Sequence, residues 1–359
     1  NMKFVHIADM HLDCPFRSLN QIEGLSNIRR LEQRQILKEI IEYIKENQIP
    51  YFIIAGDLYE HEYVKYSTIS YLNNLFQMIP NTKILIVPGN HDPYLKNSYY
   101  STFKWSSNVF IFHQDQTIIE EQEVTFYGYG FHDFYCKNSE IEKMKIENRD
   151  KINILITHGS LDGASDEDRQ YNPISSKVLK NIGFDYVALG HIHKNNYGTS
   201  ERIIYPGSPI SLGFDELGKH GMIVGEITKE SLKTAFIPLD KREFVEKEMK
   251  IDSILSEEEL IEKINEVEIE ECELCKLILS GKRNFEINIS SLYPLITNKH
   301  ILKIKDQTKQ RYNLEELAKE KSLKGFFVKN MLEKMQQENI EKEIIEKSIE
   351  IGLDALEKG

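Results

Sequence analysis

Between Met2 and Pro238, short unbroken apolar runs alternate with longer stretches in which apolar residues recur every three or four positions. The run from Lys3 to Ala8, then Tyr51-Phe52-Ile53-Ile54, Ile84-Leu85-Ile86-Val87, Ile152 to Thr157 and Tyr186-Val187-Ala188-Leu189 predict strands covered on both faces. Leu31, Leu37, Ile40, Ile41 and Ile44 predict a helix over about 27–47, and Leu72, Leu75, Phe76 and Ile79 a second over about 63–78. Strand, helix and strand in succession imply right-handed crossovers between parallel neighbours. From about Trp105 to Phe131 the period shortens to two, as in Val124-Thr125-Phe126-Tyr127-Gly128-Tyr129. That predicts antiparallel strands that extend the sheet or build a second one. Helical spacing returns over about 139–146 and 175–181, and strands follow at 222–227 and 232–238.

After about Leu239 the pattern changes. Residues 257–273 carry nine Glu against one Lys, starting in a helix-like segment with Leu260, Ile261 and Ile264 and passing to a strand at Cys275. From Asn313 to Leu356 the spacing is helical, with Phe326, Phe327, Met331, Ile340, Ile345, Ile349 and Leu353 among its apolar positions. A tail this apolar requires a surface to pack on, its own body or a partner. The expected division is therefore 1–240, then 241–300 as a small α/β capping domain, then 301–359 as a basic segment with C-terminal helices.

Composition narrows the classes. With 359 residues, 40% hydrophobic and 28% charged, the chain reads as an ordinary globular protein of two or three domains. A net charge of −12 excludes a generally basic nucleic-acid coat, so any polyanion must meet a local patch or metal ions. The most basic segment is 299–329, with nine Lys or Arg against four acids. Four cysteines without a framework suit a reducing, cytoplasmic setting, and Cys272-Glu-Leu-Cys275 lacks the second pair a zinc site needs, which leaves it a structural role. No signal peptide or spanning run is read, so no membrane is expected; Gly159 to Pro173 is read as an acidic loop, either a solvated connection or a lip over the site.

The chemistry gathers where the strands end. Pro88-Gly89 stops a strand and leaves Asn90, His91 and Asp92 at its carboxyl end, where open α/β sheets place their sites. Asp9 and His11, two apart on an extended backbone, point to one side and suit one ion. Gly56-Asp57, His158-Gly159 and Gly190-His191-Ile192-His193 close three further strands. These oxygens and imidazoles are enough to hold two divalent ions, Asp57 lying between them because Gly56 lets the backbone come close. A water bridging such ions loses its proton near neutral pH and becomes a nucleophile toward a phosphate. Mixed imidazole and oxygen ligands favour manganese, iron or zinc over magnesium.

Asp9-Met10-His11-Leu12-Asp13, Gly56-Asp57-Leu58-Tyr59, Pro88-Gly89-Asn90-His91-Asp92 and Leu189-Gly190-His191-Ile192-His193 resemble the motifs of the calcineurin-like metallophosphoesterase superfamily. Tyr205-Pro206-Gly207-Ser208-Pro209 with Phe214-Asp215-Glu216 is similar to its DNA-repair exonuclease branch, typified by the SbcD subunit. The resemblance covers about Met2 to Ile227. It implies an α/β fold, a four-layer β-sandwich flanked by helices, with a cap domain and C-terminal helices. One ion would be held by Asp9, His11, Asp57 and His193, the other by Asp57, Asn90, His158 and His191. His91, unligated, would protonate the leaving oxygen or stabilise the transition state. The implied activity is manganese-dependent cleavage of DNA phosphodiesters. The implied partners are DNA and an SMC-like coiled-coil ATPase docked by the C-terminal helices; a homodimer is a further candidate. Glu60, three residues after Asp57, stands where some relatives carry His. Two alternatives stand beside this reading: a phosphoesterase for a nucleotide or cyclic nucleotide, and a non-catalytic scaffold subunit.

Overall fold

The structure, a computed structural model, describes residues 2–16, 19, 24–163, 170–336 and 342–358. The chain divides into two compact units, the first Asn1–Glu246, Ile269–Lys276 and His300–Lys303, the second Lys247–Glu268, Leu277–Lys299 and Ile304–Gly359.

The first unit runs β1 (Met2–Ile7), α1 (Leu25–Glu46), β2 (Tyr51–Ala55), α2 (Tyr66–Gln77), β3 (Lys83–Val87), α3 (Tyr99–Thr102), β4 (Val109–Ile111) and β5 (Ile118–Glu120). It continues through β6 (Val124–Tyr129), β7 (Ile152–His158), α4 (Ser176–Ile182), β8 (Tyr186–Gly190), β9 (Ile203–Ile204), β10 (Gly221–Ile227) and β11 (Leu232–Pro238). Two sheets result, ordered β11-β10-β1-β2-β3-β4 and β5-β6-β7-β8-β9. In the first, β1 to β4 are parallel, with Phe4 opposite Tyr51 and Tyr51 opposite Lys83, while β10 returns antiparallel on β1. In the second, β6, β7, β8 and β9 are parallel, and β5 is antiparallel to β6. The antiparallel expectation for 105–131 therefore holds for β5 with β6 and fails for β4 and for β6 with β7. Alternation reports which face a side chain takes and carries no information on strand direction.

The apolar pattern explains the layering. Phe4, Ile53 and Leu85 of one sheet meet Phe126, Ile154 and Tyr186 of the other in a shared core. On its opposite face the first sheet packs Val5, Phe52 and Ile84 against Leu37, Ile41, Leu72 and Phe76 of α1 and α2. The second sheet packs Leu155 and Val187 against Leu179 of α4. Helix, sheet, sheet and helix give the four-layer α/β sandwich, and burial on both faces is why the strands read as unbroken apolar runs. Leu31, counted in the α1 stripe, is 69% exposed; Arg29 and Gln33 occupy the inner face instead. Over 139–146 only a short 3-10 turn forms, Ile141–Lys143, and the chain extends from Met144. Ile141, Met144 and Ile146 still reach the core, so their spacing imitates a helix without one.

Beyond β11 come β12 (Glu243–Lys250), α5 (Glu257–Asn265), β13 (Glu273–Ser280), β14 (Lys282–Arg283), α6 (Ile289–Leu292), β15 (Ile301–Asp306) and β16 (Lys309–Gln310), then α7 (Leu314–Leu317), α8 (Leu323–Met335) and α9 (Lys342–Lys358). Strands β12, β13 and β15 form a three-stranded sheet, and β14 pairs with β16. Ser256 caps α5 by accepting from the Glu259 N–H at 3.2 Å, and three Glu in the first turn suit the helix dipole. Among the described residues the tail forms α7, α8 and α9, as the expected C-terminal helices, and Ser322 caps the start of α8 by accepting from the Gly325 N–H. Leu317, Val328, Ile345, Ile349 and Leu353 form the core these helices share. Ile340 and the loop acids Asp166, Glu167 and Asp168 lie outside the described residues. Cys275 is buried in β13, Cys272 is exposed, and none of the four cysteines is joined in a disulfide. Among the described residues, no helix is long and apolar enough to cross a membrane.

Candidate metal centre

Strands β1, β2, β3, β7 and β8 deliver the candidate residues at their carboxyl ends. Four of these residues take left-handed backbone: Asp9 (φ 54°), His11 (φ 48°), Asp57 (φ 52°) and His191 (φ 104°). Asp9 and His11 are therefore not on extended chain. Each side chain is aimed by a turn that non-glycine residues rarely adopt. The turns are pinned by neighbours: Asp9 N–H donates to Gly56 O at 3.0 Å and His11 N–H to Asp57 O at 2.9 Å. The Gln33 amide donates to Met10 O and His11 O. Gly56 stands at φ 90°, and a Cβ there would come within 2.6 Å of His158 Cγ, so the close approach expected at this glycine is present. Asp92 accepts from Asp57 N, Leu58 N, Gly89 N and the Tyr100 hydroxyl at 2.5–2.9 Å, which locks two strand-end loops together.

The side chains converge with their acceptor ends facing inward. His11 Nδ1 donates to Glu60 at 2.7 Å and His193 Nδ1 to Glu216 at 2.5 Å, and the two Nε2 atoms face each other at 3.0 Å. His158 Nδ1 donates to Ala55 O at 2.9 Å, so its Nε2 faces Asn90 Oδ1 at 3.0 Å and Asp57 Oδ2 at 3.2 Å. A neutral imidazole that donates through Nδ1 keeps its lone pair on Nε2. Lone pairs aimed at one another repel, and a shared cation reconciles them. Asp57 Oδ2 is also 3.7 Å from His11 Nε2, which places this carboxylate between the two histidine groups. Three sets bring their ligand atoms within 4.8 Å of one another: Asp9, His11 and His193; His11, Asp57 and His91; Asp9, Asp57 and His158. His191 adds Nδ1 at 3.2 Å from Asn90 Oδ1, while its backbone N–H donates to Asp9. All eight sequence-predicted residues thus meet at one place.

Residues 2–195, more than half of the chain, match the model of the calcineurin-like phosphoesterases. The chain belongs to that family. Its members bind divalent metals and hydrolyse phosphoesters, which fixes the reaction class. Two relatives are a Bacillus subtilis protein named uncharacterized metallophosphoesterase YhaO, 24% identical over 66% of this chain, and the SbcD subunit of the nuclease SbcCD from Staphylococcus epidermidis, 28% identical over 66%. The matches span 60% of the first relative's length and 70% of the second's.

Within this phosphoesterase site the field is strongly anionic. Burial pulls the His158 ring down, but the Asp57 carboxylate outweighs it and raises the pKa to about 9. His193 also stands at about 9: burial opposes, while Glu216 and Asp9 raise it. His91 follows the same balance, with burial opposing and Glu60 and Asp57 raising it to about 9. His191 falls to about 3 through burial and the neighbouring His158 charge. Protons and dications compete for the same places in such a cluster, so the carboxylates that raise these histidines are the groups that favour a metal.

Sequence reasoning singled out Glu60 and Glu216 but assigned neither a role. Glu60 accepts from His11 and, at 3.0 Å, from His91 Nδ1, so one carboxylate orients two rings. Burial pushes its pKa up, and hydrogen bonds from both rings overcome that and hold it at about 2. Glu216 does the same for His193 and also accepts from Ser208. The signal was Glu in Leu58-Tyr59-Glu60 and Phe214-Asp215-Glu216, visible as motif but mute about which ring each would hold. Asp13 turns away and accepts from Thr68 and Lys65 at the start of α2.

Proposed function

We propose that the chain is a two-metal phosphodiesterase that cleaves DNA, an exo- or endonuclease of DNA repair. The observation that carries it is the pair of inward-facing donor groups around Asp57. In this reading Asp9, His11, Asp57 and His193 hold one ion, and Asp57, Asn90, His158 and His191 hold the other. Bound dications supply Lewis acidity to phosphate oxygens and make a water acidic enough to attack. The donor set of imidazole, carboxylate and one amide fits manganese, with iron and zinc as the other candidates. His91 is 47% exposed in its side chain and held at Nδ1 by Glu60, which leaves Nε2 as the end that gives a proton to the leaving oxygen.

The Staphylococcus relative, by name a nuclease subunit, supports the DNA reading and a partner. Residues 1–240 are read as the phosphoesterase domain, 241–300 as the part that orients DNA, and 301–359 as the partner-docking segment. Leu323 and Phe326 on α8 and Ile344 and Ile351 on α9 are more than half exposed, apolar surface suited to an SMC-like coiled-coil ATPase or a second copy of the chain. The four free thiols suit the cytoplasm. One observation favours a second reading: the cavity beside His91 is small, about 290 Å³, and carries Glu60 and Glu62, dimensions that suit a nucleotide or cyclic nucleotide. The experiment is hydrolysis of end-labelled and circular DNA in manganese, repeated with chelator, beside bis-p-nitrophenyl phosphate. Chelator-sensitive DNA cleavage is expected. Hydrolysis of the small ester with both DNAs intact would establish the second reading instead.

A further inference from the structure

Asn90 and His91 open into the cavity of about 290 Å³, whose other walls include four aromatic side chains, Tyr63, Phe134, Tyr135 and Tyr171. Two of these continue outward from the metal centre as a series of tilted ring contacts. The Tyr171 ring lies 5.1 Å from the His191 ring with planes 36° apart, and the Tyr135 ring lies 5.9 Å from Tyr171 with planes 32° apart. Tyr135 ends the series and is 57% exposed. Phe134 packs edge-on against His61, whose N–H donates to the His91 carbonyl.

The platform is fixed by backbone. Cys136 N–H donates to Gln170 O at 2.8 Å and Asn172 N–H to Cys136 O at 2.6 Å, which clips the chain beside Tyr135 to the chain beside Tyr171. The Asn172 amide then donates to His158 O, the end of β7. A series of rings anchored to His191 by contact and to His158 through Asn172 fixes the position of Tyr135 relative to two candidate metal ligands. Scattered exposed aromatics need no explanation, but a ring series that lines the same cavity as the candidate acid does. Among the described residues that line the cavity there is no Lys or Arg, and Glu60 and Glu62 are present, so charge does not supply the grip here.

We infer that Tyr135 is a specificity-determining residue whose exposed face stacks on the nucleobase adjacent to the phosphate being cleaved. The inference rests on the DNA phosphodiesterase reading and names the feature of DNA that the site selects. A paired base inside a duplex has no free face, so the platform selects single-stranded or frayed ends. Every base has a π-face, so the selection is tolerant of sequence.

The test is fluorescence anisotropy with a short labelled oligothymidine and with its abasic counterpart, in chelator so that neither strand is cut. Stacking on one base is worth about 1–3 kcal/mol, or about five- to 150-fold in Kd. Tyr135→Ala is expected to weaken binding of the base-bearing strand by that factor and to leave the abasic strand unchanged, which also shows that the variant is folded. Tyr135→Phe is expected to bind like the unaltered protein. Equal loss on both strands, no loss on the base-bearing strand, or no binding of either strand by an unaltered protein that still cuts DNA in manganese would each overturn the stacking role. Failure of the unaltered protein to cut DNA at all would instead sink the reading beneath it.

Discussion

His6, next to the carboxyl end of β1, is fully buried and bridges the two sheets beneath the metal centre. Its Nδ1 is 2.9 Å from the Tyr186 hydroxyl and its Nε2 is 3.2 Å from Leu189 O, both on β8. Burial disfavours the charged ring; the Leu189 carbonyl offsets only part of that, and the pKa falls from 6.5 to about 3. The unfolded chain therefore binds a proton here between pH 6.5 and about 3 that the folded chain does not, and stability falls as pH drops through that window. Above pH 6.5 the contribution is complete. At pH 5 the unfolded ring is 1.5 units below its pKa while the folded ring is still neutral, so this residue alone removes about 2 kcal/mol. A folded value one unit higher changes that figure little, because pH 5 still lies above it. The assay is urea unfolding of the unaltered protein and of His6→Gln at pH 7.5 and pH 5, with chelator throughout so that metal release does not enter. Other titrating groups cancel between the two proteins, and the variant is expected to lose about 2 kcal/mol less between the two pH values. Equal losses, within about 0.5 kcal/mol, would refute the buried neutral imidazole.

Three further outcomes are expected. His91→Ala keeps both metals by elemental analysis while turnover of a phosphodiester falls at least ~10²-fold, the usual scale for a positioned acid; unchanged turnover removes His91 from the chemistry. Asp57→Asn lowers metal occupancy itself, read by calorimetric titration with manganese, and two ions bound at unaltered affinity would show that this carboxylate does not lie between them. Asp240→Ala leaves the fully buried Arg29 guanidinium, which Asp240 meets at 2.7 and 3.0 Å, with Glu32 at 2.8 Å as its remaining carboxylate, and should cost about 3 kcal/mol in denaturant unfolding, the lower end for a broken buried pair. Arg29→Met with Asp240→Leu should recover most of that loss, since the cost lies in a buried charge that has lost its bidentate partner.

The sandwich was legible because its strands are covered on both faces, and an unbroken run such as Ile84 to Val87 is too short for a buried helix and too apolar for a loop. The eight candidate residues were legible because each lies at the carboxyl end of a strand or within about four residues of it, so one-dimensional order placed them on one edge. Pairing direction was not: β6 alternates in sequence yet lies parallel to β7, and only partners far along the chain decide that. The inner face of α1 was misread at Leu31 because the register is set by a buried ion pair, Arg29 with Asp240, 211 residues apart. The orienting roles of Glu60 and Glu216 were equally hidden, since a carboxylate that holds a ring looks in sequence like any surface acid.

The left-handed turns at Asp9, His11, Asp57 and His191 tie the site to the fold. Each costs on the order of 1–3 kcal/mol in backbone strain, and such strain persists only where surrounding structure over-determines it. Here the determinants are themselves buried and polar: Asp92 gathers three backbone N–H groups and the Tyr100 hydroxyl, and Gln33 reaches from α1 to the Met10 and His11 carbonyls. Asp9, His11, Asp57 and Asn90 follow strands of the first sheet, and His158, His191 and His193 follow strands of the second. The only covalent path between the two sets is the long chain itself, so their alignment depends on the apolar core between the sheets and on His6 crossing it. The same apolar pattern that folds the sandwich is therefore what sets the distances among the ligand atoms.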